Sequence, residues 1–77
     1  MTKAQQHIVD EIKAGCTLIR SFDVYGGYWW WLRPTQKRVQ KRTAEAMERA
    51  GLIVAGENKR IASGYHEKPY TLASKDL

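Results

Sequence analysis

Cysteine is scarce in this chain, and the residue patterns of disulfide and zinc chemistry are missing with it. Cys16 is the only cysteine, so no internal disulfide can form, and we expect the protein to work in a reducing cytoplasm. The two histidines, His7 and His66, do not combine with Cys16 in a C-x-x-C or H-x-x-x-H spacing. We therefore expect neither a structural zinc site nor any cofactor.

Long apolar runs are also missing. The longest apolar stretch covers residues 28–32, whereas a membrane helix needs about 18 or more apolar residues, and no signal-peptide pattern is present. Repeats, low-complexity tracts and linkers do not divide the chain. The sequence predicts a soluble protein without a membrane partner, folded as one domain over residues 1–77 with a flexible tail at residues 73–77.

Catalytic patterns are scarce as well. Asp10, Glu11 and Asp23 supply carboxylates, but no nucleophile or pocket signature surrounds them. Gly26 and Gly27 are typical of a turn rather than of a phosphate-binding loop, because no helix follows them directly. We expect no enzymatic activity and no small-molecule substrate.

Positive charge, by contrast, is in excess. The 13 lysines and arginines outnumber the 8 acidic residues, which gives a net charge of +5 and a pI of about 9.6. This balance favours an acidic partner such as nucleic acid or an acidic protein surface. A merely soluble basic domain would have the same composition.

The chain begins with a helix pattern and continues with a hairpin pattern. Thr2 as N-cap and Gln5 three residues later form a capping box, and the helix is expected to end near Gly15. Its apolar stripe consists of Ala4, Ile8 and Ile12. Residues 16–25 and 28–32 then have the pattern of two strands joined by a two-residue turn at Gly26 and Gly27.

A cationic stretch at residues 33–53 is typical of one amphipathic helix that closes on Gly51. The helix is expected to begin at Pro34 or Thr35, and a bend near residues 40–42 is an open alternative. On a helical wheel, one side carries Val39, Thr43, Ala46, Met47 and Ala50. The opposite side carries Lys37, Lys41 and Glu48, and one flank carries Arg38, Arg42 and Arg49.

A second hairpin is predicted at the end of the chain. Residues 52–55 and 68–72 are expected to pair around a polar loop at residues 56–67. The fold class is therefore a small α+β domain in the order α-β-β-α-β-β. Its single core is expected to contain Ile8, Ile12, Leu18, Leu32, Val39, Met47, Leu52, Ile53 and Leu72.

Two segments carry a family resemblance. TAEAMERAGLIVAG at residues 43–56 and KPYTLAS at residues 68–74 resemble the recognition helix and the wing of a winged helix-turn-helix domain. The front end, AQQHIVDEIKAGCTL followed by GGYWWWL, is similar to the first helix and strand of small bacterial and phage proteins of that type. The short helix that precedes the recognition helix in this family must come from residues 34–40 or is absent.

The resemblance implies that duplex DNA is contacted by the recognition helix and the wing. The implied nucleic-acid contacts are Lys37, Arg38, Lys41, Arg42 and Arg49, with Lys59 and Arg60 in the wing. The alternative is a solvated salt-bridge ladder, because Lys41, Glu45 and Arg49 stand four residues apart on the helix.

Tyrosine and tryptophan cluster in residues 25–31. Because side chains alternate along a strand, Trp30 should face one way with Leu32 while Trp29 and Trp31 face the other. Either one set fills the core and the stems of neighbouring arginines shield the other, or Trp29 and Trp31 form an exposed patch. Such a patch would bind a protein partner, a second copy of the chain or unstacked bases.

Two functions of different class remain. One is a small DNA-binding protein of the winged-helix type, a phage or bacterial regulator or accessory factor. The other is a protein-interaction module of the same fold, such as a phage-type inhibitor or adaptor, which acts through the tryptophan hairpin or the basic helix. The salt dependence of DNA binding separates the two.

Overall fold

A computed structural model describes residues 1–74 as two helices and a six-stranded antiparallel sheet. The elements are α1 (Lys3–Lys13), β1 (Thr17–Asp23), β2 (Tyr28–Arg33), β3 (Lys37–Val39), α2 (Lys41–Arg49), β4 (Ile53–Ala55), β5 (Lys59–Ala62) and β6 (Tyr65–Leu72). The sheet order is β3-β2-β1-β6-β4, and β5 also pairs with β6. The predicted α+β class is confirmed, with two strands, β3 and β5, beyond the expected order. Residues 75–77 of the predicted tail lie outside the described residues.

Helix α1 begins with the predicted capping box. The Thr2 Oγ1 accepts a hydrogen bond from the Gln5 backbone N–H at 3.1 Å, and the Gln5 Oε1 accepts one from the Thr2 N–H at 3.2 Å. These two bonds satisfy N–H groups that a helix start leaves unpaired. The helix buries Ile8 and Val9 against the sheet.

The first hairpin forms, but with a longer turn than predicted. Strand pairing ends at Phe22 and Tyr28, and residues 24–27 make the loop. Asp23 stabilises this loop, because its Oδ1 accepts hydrogen bonds from the Tyr25 N–H at 2.9 Å and the Gly27 N–H at 3.1 Å. A carboxylate that bonds to backbone two residues ahead is a common turn device.

The prediction of a single helix from Pro34 or Thr35 is wrong, because the helix begins at Lys41. The backbone of β3 pairs with β2 instead, with Val39 opposite Trp30. Gln36 has a φ of 62° and Gln40 is extended, so both residues interrupt helical geometry before α2. Lys37 and Arg38 consequently belong to a strand, and they are not part of the predicted recognition helix.

Helix α2 ends as predicted. Gly51 has a φ of 74°, a conformation that side chains disfavour, and the Leu52 N–H donates to the Met47 carbonyl at 2.9 Å. Ile53 then pairs with Leu72, which confirms the second hairpin. Strand β5 forms within the predicted polar loop and pairs with the other half of β6.

Both helices pack on one face of the sheet. The buried core there consists of Ile8, Val9, Leu18, Trp30, Leu32, Ala44, Met47, Ile53 and Tyr70. The predicted core is confirmed, since its remaining members pack partly buried against this cluster, namely Ile12, Val39, Leu52 and Leu72. The wheel placed Ala50 on the apolar side, but Ala50 is exposed and Ala44 is buried in its place.

Helix α2 joins the two edges of the sheet. It follows β3 at one edge, precedes β4 at the other, and contacts both β2 and β4 on its way. Within residues 1–74, neither helix has the length and apolar character needed to cross a bilayer.

Candidate nucleic-acid interface

The face of the sheet opposite the helices is here called the helix-free face. Strand register and alternation place Ile19, Ser21, Trp29, Trp31, Arg33, Arg38, Tyr65, Glu67 and Pro69 on it. Trp29 and Trp31 are half-buried there, while Trp30 between them is 0% exposed on the core side. The predicted division of the tryptophans between two faces is confirmed.

Aromatic side chains cover the centre of the helix-free face. Ser21 is 0% exposed there, although both helices pack on the other side. Its Oγ accepts a hydrogen bond from the Trp31 Nε1 at 2.7 Å and lies 3.1 Å from the Tyr65 hydroxyl, which donates to it. The rings of Trp29 and Tyr65 lie 5.9 Å apart, tilted by 37°. The three rings therefore lie over the sheet, and two of them are held by one hydroxyl.

Arginine side chains border these rings. The Arg33 Nη2 donates to the Glu67 Oε1 at 2.6 Å across β1, and the Arg33 guanidinium lies 5.1 Å from the Trp31 ring centre. The Arg38 guanidinium lies 6.0 Å from the ring of Trp29. Glu67 is buried on this face, and its charge is compensated by Arg33. Within residues 1–74, Arg38 has no ion-pair partner.

A shallow hollow lies beside the aromatic rings. It has a volume of about 280 Å³ and is lined by Trp29, Trp31, Gln36, Arg38 and Tyr65. Ligand pockets usually start at about 300 Å³ and enclose most of the ligand. An open hollow of this size fits one or two planar groups lying on the rings better than an enclosed substrate.

The outer side of α2 is a second candidate surface, and it carries several cations. Its two glutamates each accept a hydrogen bond from a tyrosine of the sheet. The Glu45 Oε1 accepts a hydrogen bond from the Tyr28 hydroxyl at 2.5 Å, and the Glu48 Oε2 accepts one from the Tyr70 hydroxyl at 2.9 Å. The bond to Glu45, and secondarily burial, raises the pKa of Tyr28. Burial, and secondarily the bond to Glu48, raises the pKa of Tyr70. One oxygen of each carboxylate is therefore bonded to a side chain of the sheet.

The salt-bridge ladder that was the alternative interpretation of α2 does not form in residues 1–74. The ion pair found there is Arg33 with Glu67, and the His7 Nε2 also lies 3.8 Å from the Glu11 Oε1. Lys41 instead lies over the ring of Tyr28, with its Nζ 4.1 Å from the ring centre.

The seven predicted contact residues do not form one row. Lys41, Arg42 and Arg49 are exposed on α2, whose first turn contains no acidic residue. Lys37 and Arg38 are exposed on β3, where alternation separates them between the two faces of the sheet. Lys59 and Arg60 are exposed on β5, opposite Glu67 and His66. The structure brings together the three cations on α2, and it brings Arg38 beside Trp29.

Sequence reasoning missed Tyr65 and Ser21 as parts of the helix-free face. Tyr65 falls in a segment predicted to be a loop, and Ser21 is a small residue within an apolar strand. Only the pairing of β1 with β6 brings the Tyr65 ring over the same oxygen that Trp31 contacts.

No group of three or more potential metal ligands occurs in the part of the chain that the structure describes. Comparison of the chain with protein-family models, curated proteins and solved structures found no match. The helix-free face and the outer side of α2 are therefore the two candidate binding surfaces.

Proposed function

We propose that the protein binds duplex DNA through phosphate contacts made by the cations of α2 and of the β5–β6 hairpin. The observation that supports this is the engagement of Glu45 and Glu48 by tyrosines. One oxygen of each carboxylate is bonded to a tyrosine, and Lys41, Arg42 and Arg49 have no carboxylate partner in residues 1–74. Unpaired cations on an exposed helix attract the phosphate backbone.

The winged-helix interpretation remains part of this proposal. An exposed basic helix, a short strand and a two-stranded hairpin follow one another as α2, β4 and β5–β6, which is the order of recognition helix, strand and wing. No separate helix precedes α2 after β3 in the described residues, and α2 lies across the sheet. We therefore favour contact with the duplex backbone over deep insertion into the major groove. A regulator or accessory factor of a phage or bacterium fits this mode of binding.

The test compares two double variants with the same loss of charge. Arg42→Ala with Arg49→Ala removes two cations from α2, while Lys3→Ala with Lys13→Ala removes two from α1. Binding to a fluorescently labelled duplex of arbitrary sequence is measured by anisotropy at several salt concentrations. We expect the α2 variant to weaken binding and to reduce the salt slope by up to about 0.9 for each phosphate that is no longer neutralised, with a smaller effect of the α1 variant.

Both variants should remain folded, since exposed substitutions usually change the free energy of unfolding by less than about 0.5 kcal/mol. Equally weakened binding in the two variants would show that net charge alone attracts the DNA, and would remove α2 as the site. A wild-type protein that does not bind duplex DNA even at low salt would remove the proposal.

A second candidate is a protein-interaction module that acts through Trp29 and Trp31. The observation that favours it is their half-buried position on the helix-free face, since tryptophan and arginine are enriched where proteins dock. Binding through this patch should depend much less on salt than binding to DNA.

A further inference from the structure

We infer that the helix-free face binds the unpaired bases of a single-stranded nucleic acid by stacking them on Trp29, Trp31 and Tyr65. The ligand is a single-stranded nucleic acid rather than a duplex. The site lies on the opposite side of the sheet from the cations of α2. This inference rests on the proposed function only in assigning a nucleic-acid ligand.

The polar edges of two rings are already satisfied within the protein. The Trp31 Nε1 and the Tyr65 hydroxyl both meet the Ser21 Oγ, at 2.7 and 3.1 Å. These bonds fix the rings while the face as a whole stays open to solvent, since Trp31 and Tyr65 are only half-buried. Rings held in advance lose little conformational entropy when a flat ligand stacks on them.

The spacing of the rings suits consecutive bases. Trp29 and Trp31 are two residues apart on β2, which separates them by about 7 Å along the strand. Tyr65 on β6 adds a third ring next to Trp29, at 5.9 Å. A sheet that presents two or three aromatic rings is an established way to hold unstacked bases of a single strand. In a duplex the bases stack on one another, so their faces are not accessible to these rings.

The charges around the rings favour a polyanion. The carboxylate of Glu67 is compensated by Arg33, and the Asp23 carboxylate accepts hydrogen bonds from backbone N–H groups of its own loop. Arg38 and Lys59 remain without ion-pair partners in residues 1–74. This cationic border suits a sugar-phosphate backbone that runs beside the stacked bases.

The arginine above a ring does not block a base. Arg38 is exposed, and its guanidinium is 6.0 Å from the ring of Trp29, so the contact is weak and open to solvent. Stacking of a base on tryptophan is worth more than such an exposed contact. When a base stacks on the Trp29 ring, the Arg38 guanidinium can move to a neighbouring phosphate. The ring and the arginine then both contribute to binding.

The test uses a labelled oligothymidylate about ten nucleotides long, an oligouridylate of the same length, and a duplex. Binding is followed by anisotropy and by the quenching of tryptophan fluorescence on stacking. We expect Trp29→Leu to weaken binding to the single strands by about five- to a hundredfold and to leave duplex binding within about twofold. Trp29 is chosen because its indole N–H makes no hydrogen bond in residues 1–74. Urea unfolding checks that the Trp29→Leu variant is folded.

Tyr65 supplies a matched pair of variants. Tyr65→Phe keeps the ring and should bind the single strands within about threefold of wild type, whereas Tyr65→Leu should weaken binding as Trp29→Leu does. Arg38→Glu, a change at an exposed residue, reverses the charge on the same face and keeps the test valid if a ring variant unfolds. Comparison of oligothymidylate with oligouridylate shows whether the 2′-hydroxyl contributes.

Selective loss of single-strand binding in Trp29→Leu, Tyr65→Leu or Arg38→Glu supports the inference. Wild-type protein that binds the duplex but neither single strand overturns the inference and leaves the proposed function intact. The opposite result, binding of single strands alone, overturns the proposed function and supports the inference. If the wild type binds no nucleic acid but self-associates through Trp29 in analytical ultracentrifugation, the face belongs to a second copy of the chain and both proposals fail.

Discussion

Neighbouring tryptophans are held by different interactions on the two faces of the sheet. On the helix side, Trp30 is 0% exposed, and its ring centre lies 4.9 Å from that of Tyr70, with the two rings tilted by 52°. The buried Nε1 of Trp30 has no hydrogen-bond partner within residues 1–74. On the helix-free face, Trp31 is half-buried and its Nε1 is bonded to Ser21. The first ring is held by tight packing beneath two helices, while the second is oriented by a polar bond.

This difference separates stability from binding. The helix-covered side derives its stability mainly from apolar packing, which is weakened whenever atoms are removed from a dense core. The helix-free side holds two of its rings with one serine hydroxyl and places a half-exposed arginine, paired with the buried Glu67, beside Trp31. Truncations on the first side should lower the free energy of unfolding most, whereas changes to the open ring faces on the second side should chiefly alter recognition.

The largest expected effect is at Met47, which is 0% exposed on the side of α2 that faces the core. Met47→Ala should lower the free energy of unfolding by about 2–5 kcal/mol, a large part of the stability of a small domain. Ile19→Ala is the matched change on the helix-free side and should fall at the lower end of that range, because half-buried neighbours can relax into the space. Urea unfolding measures both. A larger decrease for Ile19→Ala would contradict the division between the faces.

Ser21→Ala should cost less, about 1–3 kcal/mol, because the Trp31 indole N–H and the Tyr65 hydroxyl lose a common acceptor in a dry position. Ser63→Ala, at an exposed serine in the loop before β6, is the control and should change the free energy of unfolding by less than about 0.5 kcal/mol. Urea unfolding and the tryptophan emission maximum are the measurements. Equal stability of the two variants would mean that packing alone holds the rings.

Tyr28→Phe tests the link between the sheet and the charge of α2. Loss of the hydroxyl should lower the free energy of unfolding slightly and release Glu45 towards Lys41 and Arg49. Two helical ion pairs of about 0.2–0.5 kcal/mol each would then compete with phosphate and lower duplex affinity about two- to fivefold. Tyr25→Phe, at a residue 93% exposed, is the control. Unchanged duplex affinity in Tyr28→Phe would show that tyrosine engagement does not keep the helix cationic.

The smallest effect near neutral pH comes from the titration of Tyr28 and Tyr70. Folding raises the pKa of both phenols above the ordinary value of 10.0, so the folded state holds their protons more tightly than the unfolded state. Their contribution to stability should be complete below about pH 10 and should decline as the pH rises through the folded pKa values. The urea midpoints of wild type and Tyr28→Phe should therefore approach each other as the pH is raised from about 8 to about 11. Parallel curves would assign the alkaline decline to other groups.

Much of the fold could be predicted from local patterns. The capping box at Thr2, the glycine end of α2 and the alternation around Trp30 depend on residues close in sequence, and all three are confirmed. Strand β3 could not be predicted in this way, because a short cationic segment with one valine fits a helix as well as a strand. Its pairing with β2 settles the choice.

Less of the candidate site could be predicted from the sequence, because it also depends on pairing between distant segments. The split of Lys37 and Arg38 away from α2 follows from β3, and the covering of Ser21 by Tyr65 follows from strand pairing between distant segments. The tyrosine bonds to Glu45 and Glu48 join residues 17 and 22 positions apart. Periodicity within α2 predicts its exposed cations but carries no information about partners on the sheet.

Both the core and the helix-free face depend on strand β6. This strand, at residues 65–72, pairs with β1, β4 and β5, so the middle of the sheet is complete only after residues 65–72 have been synthesised. Until then the core lacks Tyr70 and the helix-free face lacks Tyr65 and Glu67. Pairing between such distant segments makes folding slower than local pairing would. A nascent chain shorter than about residue 65 therefore has neither a finished core nor a finished helix-free face, and we expect both to appear in the same cooperative step.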